Sequence, residues 1–268
     1  MNDLAVVLAV ARKDLLQELR SRAATVATLF FSAVTLVMMA FALGRDAGVL
    51  REAAPGVLWV ALAFAGVIAA AQNFQADLEE GAFEQLLLAP IPRAAIYLGK
   101  LLANWLYLTL LGALLSPVAF VLYGVELAPG GIGWLLATLL LGTFGFAVIA
   151  TFYAGLTANL AAREALLPVL MFPVIVPVML GAVRATEALV GGATVLATGA
   201  DAASNMAASA ASGAASGAAS GAASAATSAA TLAAGNAALA GDWLQLLAGF
   251  GLVYFVVCTS IFHFVVDE

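Results

Sequence analysis

The chain has 268 residues, of which 64% are hydrophobic and only 10% charged, with mean hydropathy +1.07; an ordinary soluble domain is about 45–50% apolar and about 25% charged. A water-soluble fold of this size exposes too many residues to hide such a composition, so the natural solvent is a bilayer. The net charge of −6 excludes nucleic acid as a partner, since phosphate binding needs a basic face, and the single cysteine excludes an internal disulfide.

Residues 3 to 22 carry Leu4, Leu8, Ala11, Leu15 and Leu19 at helical spacing, with Arg12, Lys13, Asp14, Gln17, Glu18 and Arg20 on the other faces. This pattern predicts a helix lying in the membrane interface, its apolar stripe in the acyl boundary and its cations near head groups. A soluble extension of the first span is the alternative. A cleavable signal peptide is not expected, because the extreme N-terminus carries Asp3 and no Lys or Arg, and charges follow the short apolar stretch where a small-residue cleavage site would lie.

Six charge-free apolar segments follow, at 24–43, 55–73, 101–123, 132–158, 166–183 and 243–266. Their lengths suit membrane-crossing helices. None alternates apolar and polar residues over about ten positions as a barrel strand would. The expected fold class is therefore all-α and polytopic: a single transmembrane domain over residues 1–268, with six spans and an N-terminal interfacial helix. Orientation follows from the basic residues. With both termini cytoplasmic, Arg12, Lys13, Arg20, Arg22, Arg93, Lys100 and Arg163 fall inside, outnumbering Arg45, Arg51 and Arg184 outside.

The fifth span holds Pro168, Pro173 and Pro177, each of which removes a backbone donor and bends a helix. They mark a hinge or a broken helix facing a pathway, or else a static kink that helps packing. Gly142, Gly145 and Gly155 in the fourth span read as close-packing positions. From Ala202 to Ala230 nearly every residue is Ala, Ser, Gly or Thr, with Gly-Ala-Ala-Ser recurring at 213–216, 217–220 and 221–224. Its glycines weaken a helix by about 1 kcal/mol each, and it offers no large apolar groups to pack. Residues 190–240 are accordingly expected to form a flexible or weakly helical external loop, with a seventh Ala-rich span as the alternative.

Catalytic constellations are scarce. His263 is the only histidine, so triads and multi-histidine metal sites are unavailable, and no Gly-x-x-x-x-Gly-Lys-Ser/Thr occurs for ATP. Cys258 lies in an apolar run and reads as a small packing residue. No charge lies in mid-span, which argues against a proton- or ion-coupled carrier. If the protein moves something uphill, another chain supplies the energy.

The polar content gathers between Gln72 and Lys100, a connecting stretch placed at 74–100 and assigned to the cytoplasmic side. It holds Asp77, Glu79, Glu80 and Glu84, then Leu86, Leu87 and Leu88, then Pro90 and Pro92, then Arg93 and Lys100. Proline at 90 and 92 ends the preceding helix. Physics alone leaves two readings open: a short acidic amphipathic helix that docks into a groove on another protein, or a solvated connection.

The run Asp77-Leu78-Glu79-Glu80-Gly81-Ala82-Phe83-Glu84-Gln85-Leu86-Leu87-Leu88-Ala89-Pro90-Ile91-Pro92, followed by Gly99-Lys100, resembles the first cytoplasmic loop of ABC-2 exporter permeases. Within them it is most similar to the CcmB family, the haem exporter proteins B of cytochrome c maturation. The similarity extends over about residues 1–184 and again from Gly241 to the end. It implies a permease subunit, not itself an enzyme, in a bacterial inner membrane, paired with a separate CcmA-like ATPase and associated with CcmC- and CcmD-like proteins. It further implies that a CcmE-like haem-loaded chaperone is freed on the outer face. By this resemblance Asp77, Glu79, Glu80, Gly81, Glu84, Gln85, Leu86, Pro90, Pro92 and Lys100 form the ATPase-coupling element. ATP is bound by the partner, haem is the cargo of the complex, and no cofactor is assigned to this chain. The competing readings are an ABC-2 permease for a lipid, polysaccharide or drug, and a non-transporting membrane scaffold for assembly factors.

Overall fold

In the computed structural model the described residues are 3–20, 22–79, 92–125, 131–157, 163–211 and 218–265. Among them are seven helices: α1 (Asp3–Arg20), α2 (Arg22–Leu43), α3 (Ala47–Glu79), α4 (Arg93–Tyr123), α5 (Gly131–Thr157), α6 (Arg163–Ala211) and α7 (Ala218–Val265), and no strand. Helices α2 to α7 each hold a stretch long and apolar enough to cross a membrane: Thr25–Leu43, Ala47–Gln75, Arg93–Tyr123, Gly131–Thr157, Leu166–Val190 and Ala238–Phe262. These are the six segments read from the sequence, with α3 and α4 reaching further at their polar ends.

The turns between spans follow local chemistry. Gly44 (φ 87°) stops α2, and the Asp46 carboxylate accepts from the Gly48 amide at 2.8 Å to cap the first turn of α3. Gly124 takes the left-handed conformation (φ 63°) after α4, where its amide bonds back to the Phe120 carbonyl. Helix α1, the C-terminal end of α3 and the N-terminal end of α4 come together at one end of the bundle.

Inside lipid the hydrophobic effect does not draw helices together, so close packing and interhelical hydrogen bonds carry the association. Helix α5 sits centrally, packed against α3, α4, α6 and α7. Its glycines are where neighbours come closest. A Cβ on Gly142 would lie 2.3 Å from the Trp59 ring, one on Gly145 2.9 Å from Val178, and one on Gly155 2.9 Å from Phe262. All three are close-packing positions. Around them run bonds between helices: Trp59 Nε1 to Thr186 Oγ1 at 3.0 Å, the Tyr97 hydroxyl to the Val148 carbonyl at 3.0 Å, Thr109 with Thr143 at 2.8 Å, and the Tyr123 hydroxyl to the Leu36 carbonyl at 2.9 Å. In lipid each contributes about 0.6 to 2 kcal/mol. Cys258 is buried among apolar groups.

The structure adds detail to three expectations. The Ala-rich stretch read as a flexible or weakly helical loop is helical on both sides of residues 212–217, which lie outside the described residues; α6 and α7 run well past their membrane spans. Alanine, the best helix former, outweighs the scattered glycines. Second, α6 is an unbroken helix through Pro168, Pro173 and Pro177. Its buried stripe is Leu167, Met171, Ile175, Val178, Ala182 and Ala185, and Pro173 is exposed. The helix is continuous across the three prolines, which excludes a break and leaves the hinge and the static kink as the readings it allows. Tyr254 of α7 donates to the Val174 carbonyl at 3.2 Å beside them, the kind of neighbour that stabilises a proline-disturbed turn in lipid. Third, α1 buries Val6, Val10, Ala11 and Asp14, while Leu4, Leu8 and Leu16 stay exposed. The exposed leucines form the face an interfacial helix turns to lipid.

Packing at Gly142 generates a direct prediction. Replacing Gly142 by Leu drives a side chain into the Trp59 indole and lowers stability by about 1–3 kcal/mol, read as a fall in the thermal midpoint of the detergent-solubilised protein. Gly241→Ala, where an added methyl meets nothing within 4 Å, leaves that midpoint unchanged or higher.

Candidate functional site

Where α1, α3 and α4 meet, two lysines and two aspartates are packed together. Asn73 and Asp77 are one turn apart on α3 and therefore share a face. Lys100 lies two turns into α4, and Lys13 and Asp14 are neighbours on α1. Lys100 Nζ is 2.6 Å from Asp77 Oδ2 and 3.3 Å from Asp14 Oδ2, and it donates to Asn73 Oδ1 at 2.7 Å. The Phe74 ring covers the same ammonium at 4.6 Å, a cation–π contact that partly replaces lost water. Lys13 donates to Asp77 Oδ1 and pairs with Asp14 Oδ1 at 2.9 Å. The Lys100, Asp77 and Asp14 side chains are at most 1% exposed, while that of Lys13 is 39% exposed.

Two positive and two negative charges make the cluster neutral, the condition under which charges tolerate burial at the edge of a bilayer. Burial alone would raise the Asp77 pKa, but Lys100 and Lys13 outweigh it and hold the carboxyl below its ordinary 3.8. Burial likewise works to lower the Lys13 pKa, and Asp77 and Asp14 overcome it, leaving the amine above its ordinary 10.5. The stability supplied by Asp77 is thus present above the ordinary carboxylate range and is lost as pH falls through its depressed pKa. That of Lys13 is present below the ordinary lysine range and is lost as pH rises through its raised one. Across neutral pH both groups stay charged.

Beside the cluster is a cavity with about 10 Å³ of space for water centres, room for about one water molecule. Asp14, Glu18, Asn73, Asn104 and Tyr107 line it. Glu18 has its pKa raised, first by burial and then by the neighbouring Asp14 charge. From Asn104, which donates to Thr151 Oγ1 at 3.2 Å, polar contacts continue along the α4–α5 interface to the Thr109–Thr143 pair.

Among the coupling residues read from the sequence, the structure brings Asp77 and Lys100 into direct contact. The Asp77 carboxylate turns inward, onto Lys13 and Lys100. Helix α3 continues through Glu79, and α4 begins after Pro92, whose carbonyl accepts from the Ala95 amide at 2.8 Å. The expected 74–100 connection is helical at both its ends. Glu80, Gly81, Glu84, Gln85, Leu86 and Pro90 lie outside the described residues, as does the side chain of Glu79. The three prolines are on α6, which contributes nothing to the cluster. Sequence reasoning missed Lys13, Asp14, Asn73 and Asn104 as site residues. Asparagines inside apolar runs were the available signal, since a buried amide in lipid needs a partner.

Two outcomes follow. Lys100→Met leaves the two buried aspartates sharing Lys13 alone, a net negative charge, and lowers stability by about 3–5 kcal/mol, whereas joint replacement of Lys13, Asp14, Asp77 and Lys100 by apolar residues of similar volume loses far less; thermal midpoints in detergent compare the two. Glu18→Gln raises the midpoint at neutral pH, where burial and the Asp14 charge disfavour the wild-type carboxylate in the folded state. It makes no difference at a pH below the ordinary glutamate range, where the wild-type side chain is already protonated in both folded and unfolded states.

Known proteins place this architecture. The family described as CcmB protein matches residues 5–227, which includes α1, the first five spans and much of the Ala-rich stretch, beyond the break expected at 184. The proteins named Heme exporter protein B are similar to this chain. That of Pseudomonas aeruginosa is 34% identical over 161 residues, 59% of this chain and 71% of the relative. That of Haemophilus influenzae is 32% identical over 184 residues, 68% and 82% respectively. That of Escherichia coli K12 is 30% identical over 179 residues, 67% and 80%. Since each matched stretch is a smaller share of this chain than of the relative, this chain is the longer one. With a family match over most of its length and six apolar helices, the chain is a multi-pass membrane protein that belongs to the CcmB family.

Proposed function

We propose that this chain is the permease subunit of an ABC transporter complex of cytochrome c maturation. It couples ATP hydrolysis by a separate CcmA-like subunit to delivery of haem, or to release of a CcmE-like haem-loaded chaperone. The observation that carries this reading is membership of the CcmB family across five of the six spans, whose relatives bear the name Heme exporter protein B. CcmC- and CcmD-like proteins complete the complex. The chain sits in the bacterial inner membrane with both termini cytoplasmic, an orientation that rests on the excess of Lys and Arg at the end of the bundle where α1 lies.

In this reading the coupling element is the segment between α3 and α4. Glu79, Glu80 and Glu84 face basic groups in a cleft of the ATPase, Leu86, Leu87 and Leu88 supply apolar anchors, and the Pro90-Ile91-Pro92 turn passes displacement to α4 instead of absorbing it. Gly81 and Gln85 belong to the same element, and Asp77 and Lys100 stand at its two roots. An ATPase pair needs two docking sites, so a second copy of this chain or another membrane subunit supplies the other. Pro168, Pro173 and Pro177 would let α6 flex at the end of the bundle nearest this segment. ATP is bound by the partner and haem is cargo of the complex; neither is assigned a site on this chain.

Replacing Glu80 and Glu84 by Lys abolishes co-purification with the ATPase subunit from mild detergent, and undiminished complex would count against the docking surface. A hydrolysis-dead ATPase eliminates c-type cytochromes in cells carrying this chain. A scaffold that only gathers assembly factors would leave them unchanged.

A further inference from the structure

We propose that Lys13 and Asp14 of α1 are positioning residues for the coupling step, clamping both roots of segment 80–91 to the N-terminal helix. This rests on the permease reading above and adds to it the route by which force leaves the segment. Asp77 lies within the last turn of α3, and Lys100 lies two turns inside α4. The four ion contacts each join a different pairing. Lys13 with Asp77 ties α1 to α3, Asp14 with Lys100 ties α1 to α4, Asp77 with Lys100 ties α3 to α4, and Lys13 with Asp14 sets the spacing on α1 itself.

Burying four charges is a poor route to stability, since apolar side chains of the same volume serve as well. What the arrangement adds is registry, because one relative position of the three helices satisfies all four contacts. A separate steric feature points the same way. A Cβ on Gly99 would lie 2.6 Å from Val10 Cβ and 3.0 Å from the Val7 carbonyl, so the α1 backbone rests directly on α4 one residue from Lys100. At the other end of α1, Thr25 Oγ1 of α2 donates to the Glu18 carbonyl at 2.8 Å. Displacement of the 80–91 segment therefore moves α3, α4 and α1 as one body and reaches α2 through that junction, instead of being spent in bending the helix ends apart.

The test measures holo c-type cytochrome formed per ATP hydrolysed, in membranes carrying the whole complex with full-length chain. Asp14→Asn lowers this ratio about tenfold, within the range of ordinary coupling free energies, and Asp14→Glu restores most of it. Arg12→Gln, on the exposed side of α1, keeps the wild-type ratio. A purely structural role would reduce the amount of complex, the hydrolysis and the product together and leave the ratio unchanged, which overturns the proposal. Should Asp14→Asn fail to accumulate in the membrane, Lys13→Gln, on the more exposed of the two residues, is read in the same way. If wild-type complex forms no product in an ATP-dependent manner, the permease reading itself fails and the clamp falls with it; if wild type is coupled and the variants are coupled equally, the clamp alone is wrong.

Discussion

A lysine ammonium inside a bundle of apolar helices has to be neutralised, and the way Lys100 is neutralised organises one end of this molecule. No single carboxylate suffices. Asp77 supplies the short contact, Asp14 a longer one, Asn73 an amide oxygen and Phe74 the face of a ring. Those groups come from three helices, so satisfying one charge draws α1, α3 and α4 to a common point. Lys13, partly in solvent, balances the second aspartate and makes the group neutral, which removes the long-range penalty that a net charge would carry at a membrane edge.

The rest of the bundle is held by weaker and more numerous terms. Leucine gains little by leaving lipid for protein, so helix association relies on how closely backbones approach and on polar groups that find one another. Small residues on α5 let Trp59, Val178 and Phe262 sit against its backbone. Threonine hydroxyls that could bond only within their own helix also reach across: Thr143 accepts or donates with Thr109, and Thr186 receives the Trp59 indole N–H. The large exposed side chains of α2, such as Phe30 and Phe41, are at home in lipid and need no protein cover.

The two ends of the bundle differ in kind. At one end, charge and amide chemistry fix three helices in register next to a segment rich in carboxylates and prolines. At the other, α6 and α7 continue as helices of 49 and 48 residues, longer than the roughly 20 residues a bilayer requires. Their extensions are dominated by alanine, the best helix former, and helix propensity favours their regularity. The first end is built to hold a geometry, and the second to extend a pair of spans.

Much was legible in the sequence because the bilayer imposes simple arithmetic. An apolar run of the right length with charges at its ends can do little except cross, and all six spans were readable on that ground, as were the packing glycines of α5 and the packing role of Cys258. The acidic, proline-ended stretch was identifiable from composition and family likeness. The inward turn of Asp77 was not, because a carboxylate near a helix end looks the same whether it faces a partner protein or two lysines of its own chain. Lys13 and Asp14 read as the polar side of an interfacial helix, since adjacent opposite charges on a helix do not announce partners 64 and 86 positions away. Likewise the leucines of α1 announced a lipid-facing stripe, but nothing local showed that Val6 and Val10 on the helix's other side are buried, with Val10 against Gly99. Hydropathy and helix period, which are local, determined what crosses the membrane; which face of each helix turns inward, and which charges neutralise one another, was decided only by the approach of segments far apart in the chain.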